Sequence, residues 1–275
     1  SVLEILEIIN GEDVGVPVAV QESLPMIEVF INELVQRFRD GGCLFYVGSG
    51  TSGRLGVLDA AECPPTYRTD PEMVQGIIAG GYDALVRSIE GAEDSLEDGA
   101  QVVIDYNITA NDTVLGITAS SSTPFVLGAL KEAKKIDALT GLIICNKLPH
   151  LGYVDHMISL IVGPEVITGS TRMKAGTATK LVLNMITTTL MIKLNKTYGN
   201  LMVDLKASNK KLWDRGTRII VHLTGLDYED SLQLLKSANG EVKTAIIMKK
   251  KNCTYEEGVQ LLQSVNGSLK KTLGE

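Results

Sequence analysis

The chain is poor in aromatic residues and has no excess of positive charge. Of its 275 residues, 5% are aromatic, and 33 acidic residues outnumber 26 basic ones, which gives a formal net charge of −7. Proteins that bind duplex nucleic acid neutralise many phosphates with Lys and Arg, so this balance argues against a nucleic-acid partner. A local phosphate site is still compatible with it, because helix N-termini and loop amides bind phosphate without a net positive charge.

Cysteine and histidine are also scarce. The 4 cysteines do not fall at metal-ligand spacing, and of the 3 histidines only His150 and His156 are near each other in the sequence. We therefore expect no metal site. Cysteines in apolar runs, without a disulfide pattern, are typical of proteins from a reducing compartment.

Long hydrophobic runs are absent. The longest candidate, residues 181–194, contains Asn184, three threonines and Lys193, so we do not expect it to span a membrane. No signal peptide is recognisable, and the expected location is the cytoplasm. The chain begins at Ser1 rather than at Met, which is compatible with a shortened N-terminus.

What is present is an ordinary globular composition, 44% hydrophobic and 21% charged, arranged in three predicted parts. Residues 1–41 form a helical N-terminal arm, because apolar residues from Val20 to Phe38 recur at i, i+3 and i+4 spacing before Gly41 and Gly42. Residues 199–275 form a small helical C-terminal subdomain. It contains a repeat, since residues 228–240 recur as 255–267, and both copies end in Asn-Gly, a common helix C-cap.

The middle part, residues 42–198, alternates continuous apolar runs with helical stretches. The runs are residues 43–47, 73–79, 113–118, 141–145 and 156–162. Continuous apolar strands separated by helices indicate βαβ units, and hence a parallel sheet covered on both faces. The prediction is an α/β fold with a five-stranded parallel sheet of flavodoxin-like type, followed by a long helix at residues 173–194.

Two loops rich in hydroxyl groups follow the first and third predicted strands. Residues 48–54 read GSGTSGR, and residues 120–124 read SSSTP. The first matches the GxGxxG dinucleotide fingerprint, but no acidic residue ends the second strand, and hydroxyl donors suit a phosphate monoester better. Because the carboxyl ends of parallel strands share one edge, we predict a phosphate site made of Ser49, Thr51, Ser52, Ser120, Ser122 and Thr123. The alternative is that both loops are solvated turns whose hydroxyls cap helices.

Two carboxylates are candidates for acid/base chemistry near that edge. Glu62 is expected at the C-terminal end of the helix after the first loop, before Pro64 and Pro65, where an acidic residue is locally unfavourable. Glu93 lies in a break in a helical run, but spacing alone does not favour it over Glu90, and a solvated acidic helix start explains the cluster equally well. Residues 163–177, with hydroxyls and two cations, either form a third wall of the site or contain a simple N-cap at Ser170 or Thr171.

These motifs resemble the N-acetylmuramic acid 6-phosphate etherase family. The resemblance lies in residues 48–66, 90–94, 163–177 and 198–204, in the family's order, and extends from about Ser1 to the C-terminus. It implies a sugar isomerase (SIS) domain, a homodimer, and the glucokinase regulatory protein as a more distant relative. The second loop departs from the family, which usually has glycine where Ser121 stands. The loss of glycine restricts the backbone, but phosphate binding is expected to survive.

The resemblance also implies a reaction on a sugar phosphate. The lactyl ether at C3 of N-acetylmuramic acid 6-phosphate is cleaved to N-acetylglucosamine 6-phosphate and D-lactate, a step in the recycling or catabolism of cell-wall sugars. The family's route is elimination followed by hydration, which needs no metal or redox cofactor. Carried over onto matching positions, Glu62 is the proton donor, and Glu93 is the second catalytic carboxylate, which takes the C2 proton.

Two other functions stay open at this stage. One is a sugar-phosphate isomerase on the same fold, against which the continuous ECPPT motif at residues 62–66 argues. The other is a non-catalytic regulatory protein that binds a sugar phosphate. The single predicted SIS unit and the presence of both Glu62 and Glu93 favour an enzyme over this alternative.

Overall fold

An all-parallel, five-stranded sheet is the centre of the first of two compact units in the computed structural model, which describes residues 1–120 and 122–275. Its strands are β1 (Leu44–Gly48), β2 (Val74–Ile78), β3 (Thr113–Ile117), β4 (Leu139–Ile144) and β5 (His156–Ser159). They lie in the order β2-β1-β3-β4-β5, the flavodoxin-like order. The predicted α/β fold and all five predicted strands are confirmed, with small shifts at their ends.

Helices make up most of the remaining structure. The helices up to the end of the sheet region are α1 (Val2–Asp13), α2 (Val16–Glu22), α3 (Leu24–Arg39), α4 (Gly50–Tyr67), α5 (Asp83–Val86), α6 (Leu96–Asp105), α7 (Pro124–Lys135) and α8 (Lys174–Lys193). The later helices are α9 (Lys210–Thr224), α10 (Tyr228–Ser237), α11 (Val242–Lys251), α12 (Tyr255–Ser264) and α13 (Leu269–Leu273). The long helix predicted at residues 173–194 is confirmed as α8.

The two units are discontinuous in sequence. One consists of Ser1–Glu62 and Asp70–Leu190, and the other of Cys63–Thr69 and Met191–Glu275. The division of the chain at residues 41/42 and 198/199 stays a prediction. In the part of the chain that the structure describes, no single helix is long and apolar enough to cross a membrane. The segments Val2–Glu22 and Leu24–Arg39 reach that length and composition only together, across a 54° bend.

The N-terminal arm is helical, as predicted, but consists of three helices. The predicted apolar positions Ile27, Phe30 and Leu34 are buried, because α3 packs this face against the sheet. Helix α1 has no buried residue. Its apolar side chains are 57–74% exposed at Val2, Leu3, Ile5, Leu6 and Ile8. This helix therefore carries an apolar surface that its own chain does not cover.

The helix after the first loop differs from the prediction. We expected a helix over residues 54–61 with Glu62 at its C-terminal end, whereas α4 begins at Gly50 and continues through Pro64 and Pro65 to Tyr67. Proline has a φ that suits a helix, so the backbone can continue, and the carbonyl of Pro64 accepts a hydrogen bond from the N–H of Arg68 at 2.9 Å. Glu62 is therefore an interior residue of α4, and the expected helix-end electrostatics do not apply to it.

The C-terminal repeat forms the structure that its sequence predicts. Its two copies become α10 and α12, each followed by an Asn-Gly pair with positive φ: Asn239 and Gly240 after α10, Asn266 and Gly267 after α12. Asp227 and Thr254 supply the N-cap oxygens. The apolar faces of these helices share one core with α9, α11 and α13.

Two glycines allow α6 and α7 to meet at backbone contact. A Cβ at Gly99 would overlap the carbonyl oxygen of Phe125, and a Cβ at Gly128 would overlap that of Leu96. Neither obstacle is a flexible side chain, so a larger residue would push the helices apart. The start of α7 carries the second hydroxyl loop, which makes this contact relevant to the site described below.

We expect Gly128→Ala to destabilise the protein by roughly 1–3 kcal/mol, because the added methyl group meets a fixed backbone oxygen. Gly152→Ala is the matched control, since no atom lies within 4 Å of a Cβ built there. Urea denaturation measures both. Equal unfolding midpoints for the two variants would show that the α6–α7 contact is not as tight as described.

Candidate functional site

The two hydroxyl loops start side by side at the carboxyl edge of the sheet. Strands β1 and β3 pair directly, with Gly48 opposite Ile117 at their last paired position. Strand β2 lies on the other side of β1, so the chain changes direction across the sheet here. Such a switch point is where open α/β sheets bind their ligands. The predicted convergence of the two loops is therefore present in the fold.

The glycines of the first loop serve close packing. A Cβ at Gly48 would lie 2.6 Å from the backbone nitrogen of Gly53, and a Cβ at Gly53 would lie 2.6 Å from Cγ1 of Ile78. Gly50 has a φ of +52°, which favours glycine. The half-buried Thr51 and Ser52 follow in the first turn of α4. The fingerprint is thus explained by a tight strand-to-helix turn that presents hydroxyls at a helix N-terminus.

The second loop is organised by Thr118, which directly follows β3. Its hydroxyl donates to the carbonyl oxygen of Ser120 at 2.7 Å and lies 2.8 Å from Oγ1 of the buried Thr123. Ser120 and Ser122 are exposed, while Ser121 lies outside the described residues. Sequence reasoning placed Thr118 inside a strand. Its polarity at the end of an apolar run was the available signal of a functional position.

Glu93 makes hydrogen bonds to the first loop and to the helix that follows the second loop. Its carboxylate Oε2 accepts a hydrogen bond of 2.7 Å from the hydroxyl of Ser49, and its backbone carbonyl accepts one of 3.0 Å from the N–H of Phe125. It lies in a turn just before Ser95, the N-cap of α6. Glu90 makes no hydrogen bond or ion pair within the described residues. The fold thus distinguishes two glutamates that their spacing did not.

Glu62 lies elsewhere in the same unit. It lies eleven positions after Thr51 on α4, which corresponds to about 16 Å along the helix axis. It lines a cavity of about 280 Å³ between α4 and α8, whose other residues are Leu55, Leu58, Asp59, Lys180, Leu183 and Asn184. The geometry of one chain therefore brings Glu93 to the hydroxyl loops and leaves Glu62 apart from them.

Asp59 links α4 to the sheet and to α8 beside this cavity. Its carboxylate accepts hydrogen bonds from the Tyr46 hydroxyl at 3.0 Å and from Nδ2 of Asn184 at 2.8 Å. Burial raises the pKa of Asp59 above its ordinary value, while these hydrogen bonds and the charge of Lys180 act in the opposite direction. Sequence reasoning missed this residue, because its partners are far away in the chain.

The first turn of α8 forms another boundary of the site. The carboxylate of Glu165 accepts hydrogen bonds from the backbone N–H groups of Lys174 at 2.9 Å and Ala175 at 3.0 Å. Of the two alternatives for this segment, a simple N-cap at Ser170 or Thr171 is not what the structure shows, since the carboxylate of Glu165 binds these N–H groups. A Cβ at Gly176 would lie 3.5 Å from Cγ2 of Thr51, so the start of α8 approaches the first loop.

Cys145, which follows β4, does not have the properties of a nucleophile. Burial raises the pKa of the Cys145 thiol to about 11, and the nearby charge of Glu165 acts in the same direction. The thiol is therefore protonated at neutral pH, and only the thiolate is a strong nucleophile. Across residues 1–120 and 122–275, no group of three or more His, Cys, Asp or Glu side chains is arranged to hold a metal ion. Carboxylates and hydroxyls are the chemical groups at this sheet edge.

Known proteins share the sequence and the fold. Residues 26–134 match the family described as the glucokinase regulatory protein N-terminal SIS domain. The chain is 54% identical over 250 residues to an N-acetylmuramic acid 6-phosphate etherase of Clostridium acetobutylicum, covering 90% of this chain and 83% of that one. It is 51% identical over 249 residues to N-acetylmuramic acid 6-phosphate etherase 2 of Lactiplantibacillus plantarum. This match covers 90% of this chain and 84% of that one.

Solved structures share the fold at much lower identity. The phosphoheptose isomerase GmhA of Neisseria gonorrhoeae matches with a TM-score of 0.50 and 14% identity, over 69% of this chain and 99% of that one. A protein of the E. coli strain CFT073 matches with a TM-score of 0.50 and 16% identity. This match covers 70% of this chain and 92% of that one. These likenesses establish the SIS-type α/β fold.

We expect Ser52→Ala to weaken the binding of N-acetylglucosamine 6-phosphate about 10- to 100-fold, as for the loss of one hydrogen bond to a charged group. Ser237→Ala is the control, because its exposed hydroxyl bonds only to the carbonyl of Leu234 in its own helix. Calorimetric titration measures both dissociation constants. An unchanged affinity in Ser52→Ala would contradict the placement of the phosphate at the first loop.

Proposed function

Because the chain belongs to the N-acetylmuramic acid 6-phosphate etherase family, we propose that its sheet edge binds N-acetylmuramic acid 6-phosphate and that it cleaves the D-lactyl ether at C3. The products are N-acetylglucosamine 6-phosphate and D-lactate. The observation that carries this assignment is 54% identity to a relative of that name across 90% of the chain. The hydroxyl loops beside Glu93 supply a site whose chemistry suits the substrate.

The proposed reaction is an elimination followed by a hydration. In the open-chain sugar, the C1 aldehyde acidifies the hydrogen on C2. A carboxylate takes that proton, a C2–C3 double bond forms, and the C3–O bond breaks as a carboxylic acid protonates the departing lactate. Water then adds its oxygen to C3, and a proton returns to C2. The sequence consumes one water molecule and needs no electron acceptor.

Glu93 has the surroundings expected of the carboxylate that takes the C2 proton. It lies beside the loops assigned to the phosphate, so it is close to any sugar held there. The 2.7 Å hydrogen bond from Ser49 engages Oε2 and fixes the carboxylate beside the first loop. Ser49 therefore orients the base rather than contacting only the phosphate.

Glu62 is assigned as the acid that protonates the departing lactate, but within one chain it lies too far from the first loop. The reacting C2 and C3 atoms are only five or six bonds from phosphorus, a span well short of the ~16 Å between Thr51 and Glu62 along α4. A second copy of the chain resolves this difference. We assign each active site to a homodimer, with Glu93 and the loops from one protomer and Glu62 from its partner.

Exposed apolar residues support this dimer. Leu58, one turn before Glu62 on α4, is 52% exposed, and Met185 on α8 is 36% exposed. The uncovered apolar surface of α1 provides further area. Exposed apolar residues of this kind are typical of protein–protein contacts, and a two-fold pair presents the same residues twice.

A cytoplasmic location fits the same function. Cys43, Cys145 and Cys253 are free thiols, as is typical of a reducing compartment. A phosphorylated sugar is also a substrate of the kind that cells retain internally.

We expect the wild-type protein to release D-lactate from N-acetylmuramic acid 6-phosphate. Glu62→Gln should abolish this release yet still exchange the C2 hydrogen with solvent in D₂O, because proton removal precedes lactate departure. Glu93→Gln should lose both activities. Enzymatic lactate detection and mass spectrometry provide the measurements. Near wild-type exchange in Glu93→Gln would mean that the base is another group, and absence of lactate from the wild type would refute the etherase assignment.

Mixing the two inactive variants tests the shared site. In a mixed dimer of Glu62→Gln and Glu93→Gln protomers, one site carries both substitutions and the other carries neither. Random reassociation should therefore recover about a quarter of wild-type activity for a two-fold dimer. If both glutamates came from the same protomer, every mixed site would contain one substitution, and activity would stay absent. Sedimentation of the mixture confirms that dimers have formed.

A further inference from the structure

The cavity beside Glu62 is built from two facing helical stripes. On α4, Leu55, Leu58, Asp59 and Glu62 are spaced at i, i+3, i+4 and i+7 and so lie on one face. On α8, Lys180, Leu183 and Asn184 share a face in the same way. The hydrogen bond of 2.8 Å between Asn184 and Asp59 holds the stripes together. The cavity thus has a defined wall on each side.

Three of the side chains that line this cavity are ionisable. Asp59 is buried and already accepts several hydrogen bonds. Glu62 is exposed. Lys180 is exposed as well, and it makes no hydrogen bond or ion pair within the described residues. The remaining walls are leucine side chains and Asn184, whose amide donates to Asp59. The cavity therefore offers one cation that can bind an anion, next to one exposed carboxyl group and a small apolar surface.

The lactyl group of the substrate has the matching features. It carries a carboxylate and a methyl group on the carbon atom that is bonded to the ether oxygen. A residue that protonates the ether oxygen must therefore have the lactyl carboxylate close by. We propose that Lys180 binds this carboxylate and that Leu55, Leu58 and Leu183 contact the methyl group, an assignment that rests on the proposed function of Glu62.

Two other cations near the sheet edge are already engaged. Arg54 donates from Nε to the carbonyl of Leu85 at 3.1 Å and from its guanidinium to that of Arg87 at 2.9 Å. Lys174 is buried and pairs with Glu12 of α1 at 2.5 Å. Lys180 makes no comparable contact among the residues that the structure describes. Because it shares a cavity with Glu62, it stays beside the departing group whichever protomer holds the phosphate.

This assignment makes Lys180 a determinant of substrate specificity. The product N-acetylglucosamine 6-phosphate retains the sugar and the phosphate but lacks the lactyl group. Lys180 should therefore contribute to the binding of substrate and not to that of this product. A lysine that only stabilises the helix pair would affect both ligands equally.

The test measures binding of both sugars by calorimetry in a Glu93→Gln background, which prevents turnover. Adding Lys180→Met should weaken binding of N-acetylmuramic acid 6-phosphate at least 10-fold, the loss expected for one charge-assisted contact. Binding of N-acetylglucosamine 6-phosphate should change less than twofold. Lys180→Arg should restore most of the difference. Lys135→Met is the matched control, since that side chain is 70% exposed and pairs with the nearby Glu132 of its own helix.

An equal loss for both sugars, or no loss for either, would overturn the assignment. Lys180→Gln is measured in parallel, so that a folding defect of the methionine variant leaves the comparison intact. Lactate release by the wild type is scored separately. A wild type that releases lactate while Lys180→Met keeps its preference for the lactyl sugar refutes only the role of Lys180. A wild type without lactate release refutes the proposed function itself.

Discussion

The parallel pairing of β1 with β3 is the constraint on which the rest of the site depends. Because the paired strands end together at Gly48 and Ile117, the loops that follow them leave the sheet at one place. The first loop can then reach Glu93 through Ser49, and the second lies beside it through Phe125. The backbone contact of α6 with α7 keeps these segments together. Without that register, the hydroxyls and the carboxylate would belong to separate surfaces.

The proposed phosphate site has few formal positive charges. The chain has a net charge of −7, and the loops assigned to the phosphate contain hydroxyls and helix N-terminal amides rather than lysines. Neutral donors are sufficient for a phosphate at a helix N-terminus. This arrangement leaves Lys180, next to Glu62, for a second anion on the same substrate. Two anions held by two different kinds of donor would distinguish the lactyl sugar from sugar phosphates in general.

Helix α4 carries two groups of proposed site residues, which are separated along its length. Its first turn presents Thr51 and Ser52 at the sheet edge, whereas its middle carries Asp59 and Glu62 toward α8. A rigid helix does not bring both regions to one small substrate, and this separation supports the proposed homodimer together with the exposed apolar residues. The buried bonds of Asp59 to Tyr46 and Asn184 keep the Glu62 face at a constant distance from the sheet.

The sequence by itself determined the five strands, the loops and the C-terminal repeat, because continuous apolar runs, hydroxyl clusters and Asn-Gly ends are local signals. Local spacing did not distinguish Glu93 from Glu90, which only the family resemblance did, because the difference in their surroundings depends on a hydrogen bond that Glu93 accepts from Ser49, 44 positions away. The continuation of α4 through Pro64 and the role of Thr118 were likewise not predicted. Local patterns describe which element a segment forms. Only the packed tertiary structure decides which side chains from distant segments meet, because those contacts depend on strand order and on the helix faces that pack together.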